Sequence, residues 1–174
     1  MVEPIELADA KQQLRVLSDD ENASIQNAIV DARGWIESYT GLILTRREVV
    51  EVLPCFDGML STWPIVSIDA VTYLDTSQQE VVFPEQDYFA QIARRPARLS
   101  SKLWPAIYNG STVEVTMTAG FASPEAINAF SPNIMRAMRL LVAGFYADRE
   151  TGGLAGDVEI AAKRLCRPFK SWRV

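Results

Sequence analysis

The sequence predicts an α+β fold in which the two ends of the chain form a helical bundle and a small antiparallel β-sheet is inserted between them. Three observations carry this. Apolar residues recur at helical spacing as far as Tyr39-Thr40-Gly41, alternation and turn residues fill the middle third, and helical spacing returns after Pro124. One domain is expected over residues 1–174, with helices at about 5–40, the β insertion at about 45–120, helices at about 124–168 and a basic tail over 164–174.

Each element has its own signal. Leu7, Ala10 and Leu14 share one stripe of a short first helix, with acidic residues in the opening turn where the helix dipole favours them. Ser18, Asp19 and Asp20 supply N-cap oxygens for a second helix along which Ile25, Ile29, Ala32, Ile36 and Tyr39 recur at spacings of three and four. Gly41 is the expected left-handed terminator. The acidic run Asp19-Asp20-Glu21 is read as capping and dipole complement, since nothing pairs it with a second motif.

From Arg46 to Leu53 the residues alternate as in a strand, Val50 and Val52 on one face, Val49 and Glu51 on the other, and that other face is expected to be partly wet. Ile65 to Asp75 reads as one or two strands, and Thr76-Ser77-Gln78 as the turn to a strand over residues 80–83. Residues 88–92, 98–100 and 112–118 complete the sheet, paired antiparallel because short strands joined by tight turns pair that way. Ser123-Pro124-Glu125 and Ser131-Pro132-Asn133 are both helix starts, so one or two helices begin here. Met138, Leu141, Val142 and Phe145 stripe the long one. A glycine-rich loop at Gly152-Gly153-Leu154-Ala155-Gly156 is a hinge before the last helix, whose stripe Val158, Ala161, Ala162 and Leu165 ends at Pro168.

Composition excludes more than it includes. At 174 residues, with 48% hydrophobic and 22% charged, the chain has ordinary globular usage and enough length to bury about 70% of the surface of its unfolded form. The apolar run at Leu140-Leu141-Val142-Ala143-Gly144-Phe145 is far short of the roughly 20 residues of a membrane span, and the start lacks a signal pattern, so a soluble, unexported protein is expected. There is no histidine, which removes Ser-His-Asp and Cys-His catalysis and imidazole metal sites. Cys55 and Cys166 have no paired spacing and are expected to be reduced and mostly buried. Since no Gly-Lys-Ser/Thr follows the glycine-rich loop, it does not read as a phosphate cradle. Trp35, Trp63, Trp104 and Tyr146 read as core or sheet-edge packing. No cofactor, metal or catalytic residue is indicated.

Charge is distributed unevenly. Residues 160–174 hold five basic side chains and no acid, so with a whole-chain charge of −5 residues 1–159 carry −10. Residues 1–31 alone carry −5. An acidic chain is a poor candidate for binding DNA by neutralising its phosphates. The basic end, Lys163, Arg164, Arg167, Lys170 and Arg173 with Phe169 and Trp172 as apolar anchors, is a candidate surface for a neighbouring subunit or a larger partner, because aromatic and arginine residues dominate interface cores. The alternative is that these cations complement the end of the last helix and cover the protein's own acidic face. Arg94, Arg95 and Arg98 form a second candidate contact around the Pro96 turn, with a solvated turn as the alternative.

Several segments in fixed order resemble one family. Leu7-Ala8-Asp9-Ala10-Lys11 with Leu14-Arg15-Val16, then Asp19-Asp20-Glu21 and Ile36-Glu37-Ser38-Tyr39-Thr40-Gly41, Trp63-Pro64-Ile65-Val66-Ser67-Ile68, Arg95-Pro96-Ala97-Arg98-Leu99, Trp104-Pro105, residues 113–121, Pro124-Glu125-Ala126-Ile127 and residues 165–173 follow one another as in the adaptor, or head-tail connector, proteins of tailed phages and gene transfer particles. The chain departs from that pattern at Asn128-Ala129-Phe130-Ser131-Pro132, which interrupts what such proteins show as a single helix. The resemblance implies a ring of about a dozen copies under a portal protein in the virion neck, assembled in the host cytoplasm. It also implies contact with a tail-side connector or stopper protein, a bore for DNA without sequence-specific binding, and no catalysis. The rival readings are a small monomeric protein-interaction module and a histidine-free hydrolase.

Overall fold

The computed structural model describes residues 2–149 and 154–171. They divide into two units, Met1–Thr45 with Phe121–Val174 and Arg46–Gly120.

The first unit is helical: α1 (Leu7–Leu14), α2 (Asn22–Thr40), α3 (Pro124–Phe130), α4 (Pro132–Ala147) and α5 (Gly156–Cys166). Helix α4 packs on each of the other four. It does so because Ile134, Met135, Ala137, Met138, Leu141 and Val142 put apolar surface around much of its circumference, and all are buried. The facing stripe of α2 is Ile25, Ala28, Ile29, Ala32 and Ile36. Small residues let the helices approach: a Cβ on Gly144 would stand 3.1 Å from Val158 Cγ1 of α5. Gly41, at φ 71°, ends α2 as expected, its N–H donating to the Glu37 carbonyl.

Two helices, α3 and α4, stand where the resemblance implies a single one. Buried Ser131, extended at φ −160° and ψ 114°, ends α3 through its N–H on the Ile127 carbonyl and opens α4 by accepting the Asn133 N–H on its hydroxyl. The start of α2 corrects the capping assigned to Asp19, Asp20 and Glu21, because no side chain caps that helix. Asp19 instead accepts from Lys11 Nζ at 2.6 Å and Asn22 Nδ2 at 3.2 Å, which holds its carboxyl below the usual carboxylate range. Glu21 accepts the Tyr146 hydroxyl of α4, and this bond pushes the tyrosine's pKa up.

The second unit holds two antiparallel sheets. In one, β1 (Arg47–Leu53), β7 (Val113–Ala119), β3 (Ile65–Leu74) and β4 (Glu80–Val82) lie side by side in that order; the other orders β2 (Met59–Leu60), β6 (Ala97–Ser100) and β5 (Phe89–Gln91). Residues 65–74 are one strand with two irregularities, at Val66 and Asp69. Asp75 caps the turn into β4 by accepting the Ser77 and Gln79 N–H groups. Leu53, Val71, Val113, Val115 and Met117 of one sheet and Leu60, Ala97 and Leu99 of the other are buried. Phe56, Phe83 and Trp104 stack beside them, with the Phe56 and Trp104 rings 4.7 Å apart and nearly parallel.

The faces of β1 are the reverse of the expectation. Val50 and Val52 are exposed, whereas Val49, Glu51 and Leu53 turn inward. Glu51 tolerates this because its carboxylate accepts the Ser61 N–H and hydroxyl and the Thr62 N–H, at 2.7, 2.8 and 3.1 Å.

Leu141→Ala leaves a void at a fully buried position of α4. It is expected to lower stability by about 2–5 kcal/mol, seen as a lower urea midpoint with an unchanged slope; a shift within experimental error would remove α4 from its central place.

Candidate functional site

The basic end begins on α5. Val158, Ala161, Ala162, Leu165 and Cys166 turn toward the helical unit, Ala162 and Cys166 completely, while Ile160, Lys163, Arg164 and Arg167 are exposed. Asp157 and Glu159 in the first turn and Lys163 and Arg164 in the last complement the helix dipole. Lys163 pairs with Glu159 at 2.7 Å on the exposed side, a contact of small energetic weight. A 3-10 turn over Arg167–Phe169 continues the chain.

Beyond it the chain lies along its own helices. Phe169 packs on Phe130 with centroids 5.4 Å apart, and Phe130 packs on Phe121 at 5.3 Å. Lys170 Nζ stands 5.1 Å from the Tyr39 ring centroid, a cation–π contact at the end of α2, and the Ser171 N–H donates to the Thr40 carbonyl at 3.0 Å. The structure thus splits the seven residues of the basic candidate. Phe169 and Lys170 fasten the chain's own end, Lys163 is paired, and Arg164 and Arg167 stand exposed beside Ile160. Trp172 and Arg173 lie outside the described residues, as do Gly152 and Gly153 of the expected hinge.

The arginine turn is also divided. Arg94 is exposed and donates to Gln91 Oε1 at 3.3 Å. Arg95 is half-buried over the Trp63 ring, 5.7 Å from its centroid, and burial lowers its pKa. Arg98 projects from β6 into solvent.

The sequence reading missed two exposed apolar groups in the β unit. One is Val50, Val52 and Val82 on the outer side of the larger sheet; the other is Met59, Phe89 and Leu103 near the smaller one. The signal was available at residues 48–53, where valines of both parities make a strand with apolar residues on each face. Phe89 and Leu103 line a cleft of about 860 Å³ with Tyr88, whose pKa burial raises. Cys55 corrects a further expectation: it is exposed, while Cys166 is buried and its thiol is pushed up to about 12. Among the described residues no group of three or more His, Cys, Asp or Glu side chains could hold a metal ion, and no helix is long and apolar enough to cross a membrane.

Comparisons with known proteins find a family model and solved structures similar to the chain. Residues 4–81 match the family model described as Phage gp6-like head-tail connector protein. No curated protein matches the chain. Among solved structures, a chain from the neck of an empty gene transfer agent particle, computed with C6 symmetry, is 24% identical, with TM-score 0.78 over 98% of this chain and 91% of that one. A chain from the virion of a native gene transfer agent particle is 23% identical, with TM-score 0.79 over 100% of this chain and 94% of that one. A chain from the neck of a native particle, computed with C12 symmetry, is 24% identical, with TM-score 0.66 over 94% of this chain and 89% of that one. At these identities the likeness shows a shared fold. The family resemblance read from the sequence and the family model point to the same head-tail connectors.

At pH 8 a thiol-specific reagent is expected to modify one cysteine of the native protein, Cys55. The Cys166 thiol stays protonated well above that pH and loses its protection only on unfolding. Two rapidly reacting thiols in the native protein would contradict the burial of Cys166.

Proposed function

We propose that the chain is a structural head-tail connector of a phage-like particle. It forms a ring of about twelve copies under the portal in the virion neck, joins the portal to a tail-side connector or stopper protein, and leaves a channel for DNA. It works without catalysis. The observation that carries this reading is the nearly complete mutual coverage with chains of gene transfer agent necks and virions, at TM-scores of 0.78 and 0.79. The match of residues 4–81 to a head-tail connector family supports it from sequence, and the C12 symmetry computed for one neck supports the copy number. A net charge of −5 is consistent with a channel that does not grip phosphate.

Portal docking is assigned to the basic end, with Arg164 and Arg167 as its exposed members, while Arg94, Arg95 and Arg98 form a separate partner-contact turn. The test mixes the purified full chain with portal assemblies from the same particle and measures mass by sedimentation or native mass spectrometry. A bound ring of about a dozen chains is the expected result, and a chain that stays monomeric with portal present overturns the reading. Charge reversal at Arg164 and Arg167 suits the docking assignment better than truncation, which would remove buried Cys166. Binding that is unchanged by Arg164→Glu with Arg167→Glu would move the portal contact elsewhere on the chain.

A further inference from the structure

The β unit carries two outer surfaces of opposite character. In the larger sheet the register aligns side chains of one face in rows: Val52, Glu114, Thr72 and Val82; Val50, Thr116 and Ala70; Glu48, Thr118 and Ser67, with Glu48, Val50, Val52, Val82 and Glu114 exposed and the others half-buried. Asp69 lies on the same face, accepting the Thr118 and Ser67 hydroxyls at 2.8 and 2.7 Å. Every charge in those rows is a carboxylate. Val50, Val52 and Val82 are 51%, 55% and 61% exposed, so a strand-rich apolar surface stands open to water. On the smaller sheet, Met59 lies opposite Arg98 and Arg98 opposite Gln91, while Phe89 lies opposite Ser100. Met59 and Phe89 are 51% and 67% exposed, Arg94 is fastened to Gln91, and these rows contain no carboxylate.

The opposite faces of the two sheets carry the buried residues, Leu53, Val71, Val113, Val115 and Met117 in the larger and Leu60, Ala97 and Leu99 in the smaller. A surface of valine and carboxylate complements a surface of methionine, phenylalanine and arginine in both hydrophobicity and sign. Because the two surfaces differ, their contact is head-to-tail, which is the kind that closes into a ring or runs on as a filament. We propose that the valine and carboxylate face of the larger sheet docks on the Met59, Phe89 and Arg98 face of the next copy of this chain. The contact rests on the ring reading given under Proposed function. There the valines and Phe89 supply the desolvated centre, and Glu114 and Arg98 fix sign and register.

The test uses the full chain, assembled with portal and shown by mass to be a ring before any oxidation. Val50→Cys with Phe89→Cys, in a Cys55→Ser background, is expected to give a ladder of covalent dimers, trimers and higher species on mild oxidation, whereas either cysteine alone gives monomer. Dimers from a single cysteine would mean a two-fold contact and overturn the proposal. A ring of the cysteine variant that forms without a ladder overturns this contact and leaves the ring reading standing; failure of the unsubstituted chain to form a ring with portal removes both. As an independent check, Glu114→Lys or Arg98→Glu alone is expected to weaken ring formation about tenfold or more, and the two together to recover most of it. A double variant no better than the singles would also overturn the proposal.

Discussion

The pairing of β1 with β7 is the constraint on which the chain's organisation depends. Its register sets Arg47 opposite Ala119, so the β insertion closes on itself by its first and last strands. The helices before Thr45 and after Phe121 are separated by the whole insertion in sequence, yet they must share one core. An unstructured loop of that length would oppose their meeting by its closure entropy, a cost that rises slowly with length but is never absent. A paired sheet removes much of it by holding the insertion's two ends together. α2 and α4 can then bury Ile25, Ile29, Ile36, Met138 and Leu141 as though they were near in sequence.

The sequence disclosed what local chemistry decides. The stripe from Ile25 to Tyr39 and the left-handed Gly41 set α2 to within a turn, and the two Ser-Pro pairs marked both α3 and α4. What remained illegible was decided by partners distant in the chain. β7 lies between β1 and β3, and no local pattern states that the last strand of the insertion is inserted between earlier ones. The inward turn of Glu51 depends on Ser61 and Thr62, ten residues away or more. Asp19 looked like a cap because its spacing suits one; Lys11 on the preceding helix claims the carboxylate instead.

The candidate surfaces were legible in composition and illegible in geometry. A run of cations with aromatics at the C-terminal end was plain, but which members point outward was not. Phe169 and Lys170 satisfy themselves against Phe130 and Tyr39 of the same chain. Phe89 and the valines gave the converse case: each reads as an ordinary strand residue, and only the register shows that they stand in exposed rows.

Net charge is therefore a poor guide to how this protein associates. At −5 the chain as a whole repels its copies, and at low ionic strength that repulsion slows self-association. The repulsion is long-ranged and screened within about 8 Å at physiological salt, whereas contacts between faces act at van der Waals distance. Glu48, Asp69 and Glu114 sit on one sheet and Arg94 and Arg98 on or beside the other, so the surface that carries the valines also carries the excess of acid. Two like faces meeting would bury carboxylate against carboxylate, and the same geometry that favours head-to-tail contact disfavours a symmetric pair. In the proposed contact, opposite charge on the two outer faces would direct association while adding nothing to the total.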